Sequence, residues 1–147
     1  METGLVDVVQ VIYNIFEQAP EDELFPAAQE MGVGIVARVP FDEGGLTGAI
    51  KPDTTFEKGD MRNVWFAGDR LAQTVERVEA LKPLVAEYGY TLPQAAIRFC
   101  LSHPAVTSVI PGMRKPQHVE ANTALGDGKG LPPELLERLR AHRWDRA

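Results

Sequence analysis

The sequence predicts an α/β fold built on a parallel sheet. Two observations predict it: three short apolar runs rich in β-branched residues, and a helical signal after each. Val6 to Tyr13 is the first run. Its near-continuous hydrophobicity is the pattern of a strand covered on both faces, since an open face would impose alternation. Pro20, Glu21, Asp22 and Glu23 then place acid in a helical first turn, where the macrodipole favours it. Leu24, Ala27, Ala28 and Met31 follow on one face, and Gly32 closes the helix. Val33 to Val39 is the second run, ending at Pro40. Strand, helix and strand with short joints make a βαβ unit.

Residues 42–66 break this rhythm. Asp42 to Gly48 is a glycine-rich turn, and Lys51 to Asn63 is polar, with Pro52 and Gly59. The stretch reads as a long loop excursion holding at most a short helix, and loops of that length inside a domain are usually functional or mobile. Leu71, Val75, Val78, Leu81 and Val85 recur at helical spacing up to Gly89, with Pro83 expected to kink or weaken the helix. Thr91 and Gln94 form a capping-box pattern ahead of Ala95, Ala96, Phe99 and Cys100. His103-Pro104 ends that helix. Val106 to Ile110 is the third run, Pro116 is placed as a first-turn proline of a helix through Ala124, and Pro132-Pro133 opens a last helix. Residues 1–147 are read as one domain.

Composition narrows the function. The 147 residues carry 21 acidic against 15 basic side chains, a net charge of −6, with 44% hydrophobic residues. A globular domain of this size has a core of its own. The acidic balance argues against nucleic acid and against a basic membrane-binding patch. No apolar run approaches the length of a membrane span, and Glu2 and Asp7 stand where a leader would carry positive charge. A cytoplasmic location is the expectation. Cys100 has no partner cysteine within the chain, and three scattered histidines offer no metal cluster.

The strongest local site follows the third strand. Gly112, Met113, Arg114 and Lys115 lead into the helix begun by Pro116. Backbone N–H groups and the dipole at a helix start favour an anion, and the two cations add to that field. Ligands of α/β folds gather at this end of the strands. Gly44, Gly45 and Gly48 permit close backbone approach, and Thr47 offers a hydroxyl. Locally, each segment also reads as an ordinary turn, and Gln10 as a buried amide satisfied by backbone. Trp65 and Phe66 are either a loop anchor or a lid.

Taken together, V-Q-V-I-Y-N (9–14), V-P-F-D-E-G-G-L-T-G (39–48), A-A-I-R-F-C-L-S-H-P (95–104) and S-V-I-P-G-M-R-K-P-Q-H-V-E-A-N (108–122) resemble the C-terminal portion of the aldo-keto reductases. These are NADPH-dependent carbonyl reductases on a (β/α)8 barrel. The resemblance implies a partial TIM barrel of about three βα units, strands six to eight, with a C-terminal helix. It implies that Gln10 holds the nicotinamide amide, and that Gly44, Gly45, Leu46 and Thr47 fold over the pyrophosphate. Gly112, Arg114, Lys115, His118 and Asn122 would hold the adenosine 2′-phosphate and adenine. Arg38 stands where many members stack a tyrosine on nicotinamide, and His118 and Ala121 replace the family's usual Gln or Arg and Glu. The family's catalytic Asp, Tyr, Lys and His fall in the part without counterpart here. Asp7, Tyr13, Lys51 and His103 lie in other motifs and receive no such role.

The sequence therefore predicts weak NADPH binding and no turnover by the chain alone, the alternative being a non-catalytic half-barrel module that oligomerises without cofactor. Met1 immediately before the first strand suggests a truncated reading frame or a deliberately shortened chain. Two open sheet edges and an uncovered apolar face, as three βα units leave them, predict a homo-oligomer or a partner chain that completes the barrel.

Overall fold

The structure, a computed structural model, describes Met1 and residues 3–146. Glu2 lies outside the described residues. Three strands, β1 (Val8–Ile12), β2 (Gly34–Arg38) and β3 (Val106–Ile110), form one parallel sheet in the order β1-β2-β3. The β1–β2 register runs from Val8 opposite Gly34 to Ile12 opposite Arg38. Between β2 and β3 the ladder slips, Ile35 facing Val106 and Val36 facing Ser108. The skipped Thr107 fills the gap: its hydroxyl oxygen accepts the Ile35 N–H at 3.2 Å.

The sheet corrects one expectation. The strands are not covered on both faces. Helices bury the side carrying Ile35 and Ala37, whereas Val8, Gln10, Arg38, Ser108 and Ile110 on the other side are exposed. Apolar residues stand on both faces of these strands, but among the described residues only one face finds a covering layer.

The helices follow the predicted order. They are α1 (Leu24–Met31), α2 (Arg62–Trp65), α3 (Arg70–Glu87), α4 (Leu92–Leu101), α5 (Pro116–Thr123) and α6 (Pro133–Arg140). The acidic stretch before α1 is not its first turn. Ala19–Glu21 is a separate 3-10 turn, and α1 has no acid in its first turn. Pro26 explains the offset, because its ring would clash with the Asp22 carbonyl of a longer helix. Gly32 closes α1 with φ of 66°. Pro83 does not break α3, which runs on to Glu87, and the residue faces solvent. In α4 the Thr91 hydroxyl accepts the Gln94 N–H, and the Gln94 side chain accepts the Thr91 N–H.

The core lies between sheet and helices. Tyr13, Phe16, Phe25, Phe99, Leu81, Leu135 and Leu139 are its largest apolar members, and Cys100 is among the buried residues. The segment after β1 is deeply buried, so its polar groups need partners. Asn14 supplies them: its carbonyl oxygen accepts Phe16 N–H at 2.9 Å and Glu17 N–H at 3.0 Å, and its amide donates to Val39 O at 3.0 Å. No helix among the described residues is long and apolar enough to cross a membrane.

Candidate functional site

The strands deliver their carboxyl ends to one cavity of about 900 Å³, larger than the other three described clefts. Gln10 of β1, Arg38 of β2 and Ile110 of β3 line its floor. Two loops and one helix start make its walls. The loop after β2 contributes Val39, Pro40, Phe41, Glu43, Gly44 and Thr47, and the segment after β3 contributes Gly112, Arg114, Lys115, His118 and Asn122. Of the sequence-predicted residues, Gln10, Arg38, Gly44, Thr47, Gly112, Arg114, Lys115, His118 and Asn122 are thus brought together.

Gly45 and Leu46 do not line the cavity. Both are buried, Gly45 against Thr74 and Leu46 in the apolar core. The Thr47 hydroxyl is engaged within its own loop, donating to Gly44 O at 2.6 Å and accepting the Ala49 N–H at 3.2 Å. Trp65 and Phe66 act as loop anchors: Phe66 is buried and stacks on Phe56, with ring centres 5.6 Å apart. His103 packs against Phe25 and Tyr13, away from the cavity, and its Nδ1 accepts the Ala105 N–H at 3.1 Å.

Sequence reasoning missed Glu43, Asp60, Arg62 and Pro93 as cavity residues. Asp60 and Arg62 come from the excursion. Arg62 Nη2 donates to Asp60 Oδ2 at 2.6 Å and its Nε to Oδ1 at 3.0 Å, while its guanidinium lies 4.6 Å from the Phe56 ring centre. This pair holds the Asp60 carboxyl down at about 2, first through the Arg62 hydrogen bonds and, to a lesser degree, through Arg114. Glu43 is moved the other way: burial raises it, Asp42 adds to the effect, and Arg62 and Arg38 oppose it. For Asp60 and Arg62 the sequence signal was the excursion's length.

The cavity is a positive site with two acids at its rim. Arg38, Arg62, Arg114 and Lys115 surround it, and Arg114 and Lys115 are exposed, with no ion pair among the described residues. Lys115 caps α5, and Pro116 occupies its first turn. Cations beside a helix start suit a phosphorylated ligand, and the open space at Gly112 leaves room for one to approach the backbone. No cluster of metal-ligating side chains occurs among the described residues.

Parallel strands alternating with helices, and a cavity at their carboxyl ends, define part of a β/α barrel. Residues 4–143 match the model of the aldo/keto reductase family. Among curated proteins, the chain is 35% identical over 142 residues to a probable voltage-gated potassium channel subunit beta of Oryza sativa, covering 91% of this chain and 43% of that one. It is 29% identical over 124 residues to the NADH-specific methylglyoxal reductase of Escherichia coli, covering 84% of this chain and 38% of that protein. Among solved structures, the glycerol dehydrogenase of Gluconobacter oxydans superposes with a TM-score of 0.80 at 25% identity, over 92% of this chain and 41% of that one. The chain belongs to the aldo/keto reductase family, and its fold is a partial TIM barrel of that family. It spans roughly two fifths of the length of these relatives.

Proposed function

We propose that this chain is the C-terminal, NADPH-binding portion of a carbonyl-reducing oxidoreductase, and that it lacks the proton-donating side chains of the reaction. One observation carries the reading: Gln10, Arg38, Arg114, Lys115, His118 and Asn122, far apart in sequence, line a single cavity. NADPH, when bound, supplies hydride to an aldehyde or ketone. This chain's own residues would hold it, Arg114 and Lys115 taking phosphate and Gln10 the nicotinamide amide. Reduction also requires an acid beside the carbonyl oxygen. None of the cavity residues is a tyrosine or an unpaired lysine next to a buried acid, so the chain alone turns over no substrate.

Fluorescence titration tests the binding. Saturable NADPH binding is expected, weakened at least about ten-fold in Arg114→Ala because a bidentate phosphate grip is lost. NADPH is expected to bind more tightly than NADH, since Arg114 and Lys115 are matched to an added phosphate. No saturable signal up to millimolar NADPH overturns the reading.

The exposed sheet face supports a second element of the proposal. Among the described residues the outer edges of β1 and β3 are unpaired, and Val8 and Ile110 stand exposed beside them. Such edges pair with other chains. A homo-oligomer, or a partner chain that completes the barrel, fits this surface, and such a partner is the route by which missing catalytic groups reach the cofactor. We place this assembly in the cytoplasm.

A further inference from the structure

We propose that Arg146 is a positioning residue of the cavity, acting through Asp42 on the loop that follows β2. The proposal rests on the cavity being the chain's binding site.

The loop is held in a backbone that side chains resist. Val39, Asp42 and Glu43 have φ values of 55°, 51° and 55°, in the left-handed region where a β-branched residue is an outlier. Such strain persists only where surroundings over-determine it, and it clusters at ligand sites. Asn14 fixes one end of the loop through Val39 O. The other anchor is Asp42, which is fully buried; among the described residues the one charged group it meets at hydrogen-bond distance is Arg146, whose Nη2 donates to Oδ1 at 2.7 Å. Burial already raises the Asp42 carboxyl against the pull of Arg146, so losing that cation removes the charge partner that offsets its burial.

Arg146 is itself held from several sides. Its guanidinium carbon lies 4.5 Å from the Trp144 ring centre, 5.6 Å from Trp65 and 5.7 Å from Phe16. The segment is docked independently, by Trp144 N–H on Phe16 O at 2.8 Å and by Arg143 gripping both Asp22 oxygens at 2.7 and 2.6 Å. The next residues of the loop, Glu43 and Gly44, face the cavity, while Gly44 N–H and Leu46 N–H both close on Phe41 O at 2.9 Å. A residue more than a hundred positions away along the chain thus fixes the wall a ligand meets.

Amide hydrogen exchange on the full chain, without ligand, tests this. In Arg146→Met the Gly44 and Leu46 amides are expected to exchange at least about ten-fold faster, with β2 and α4 unchanged. Arg146→Lys, which keeps a cation near Asp42, is expected to restore most of the protection. Asp42→Asn combined with Arg146→Met is expected to be no worse than Arg146→Met alone. Unchanged exchange at Gly44 and Leu46 overturns the proposal, and so does uniform acceleration that includes the α4 amides, which marks a purely global role. NADPH titration of Arg146→Met gives the second readout: weaker affinity supports positioning, and affinity equal to the unsubstituted chain overturns it. Because exchange is read without ligand, an unsubstituted chain that binds no NADPH defeats the cofactor reading, and the Asp42–Arg146 link is then judged on Gly44 and Leu46.

Discussion

Gly45 leaves no room for a side chain: a Cβ there would meet Thr74 Cγ2 at 2.8 Å and Asp42 Oδ2 at 3.2 Å. Gly45→Ala is therefore expected to destabilise the fold by about 1–3 kcal/mol in urea unfolding, the usual cost of overpacking. Read from sequence, the glycine cluster suggested a phosphate cradle. Only Gly44 of that cluster reaches the cavity, because the contact between Gly45 and Thr74 joins distant segments and leaves no local trace. His103 gives a pH prediction. Burial holds its imidazole below the ordinary 6.5, against the upward pull of Glu21. Unfolding then takes up a proton below 6.5, so this stabilisation is whole above 6.5 and falls as pH drops toward the folded value. His103→Asn, which keeps an acceptor for the Ala105 N–H, is expected to flatten the dependence of Tm on pH across that window. Cys100 is fully buried, and burial pushes its thiol far up, so a thiol reagent is expected to leave the native chain unlabelled.

At the level of elements, local chemistry was legible and long-range pairing was not. The capping box of α4 appears where Thr91 and Gln94 announced it, and Thr91→Ala is expected to cost about 1 kcal/mol, measured by thermal unfolding. β3 begins and ends at the predicted residues, since turn signals bracket it on both sides. The start of α1 was misread because acid before an apolar face resembles a first turn, while Pro26 sets the true boundary. The excursion shows the opposite limit. Its aromatic pair and its Asp60–Arg62 bridge order a segment without periodicity, and no pattern in the sequence marks which of its charges face the cavity.

For the whole molecule, most of the residues named from the resemblance line one cavity, and the geometry of three strands brings their motifs together. The bare outer face of the sheet accords with the uncovered apolar face expected of three βα units, although hydrophobic residues on a face do not say which chain covers them. Light scattering after gel filtration is expected to show an assembly larger than one chain, and Val8→Lys on the exposed edge is expected to shift it toward the monomer; a single chain in solution counts against that expectation. The sheet's order has a further outcome for biosynthesis. β1 and β2 pair across one helix, whereas Ile35 waits for Val106, 71 residues later. An emerging nascent chain therefore exposes one flank of its central strand until β3 has been made, and a ribosome stalled within α3 or α4 leaves that flank available to any neighbour.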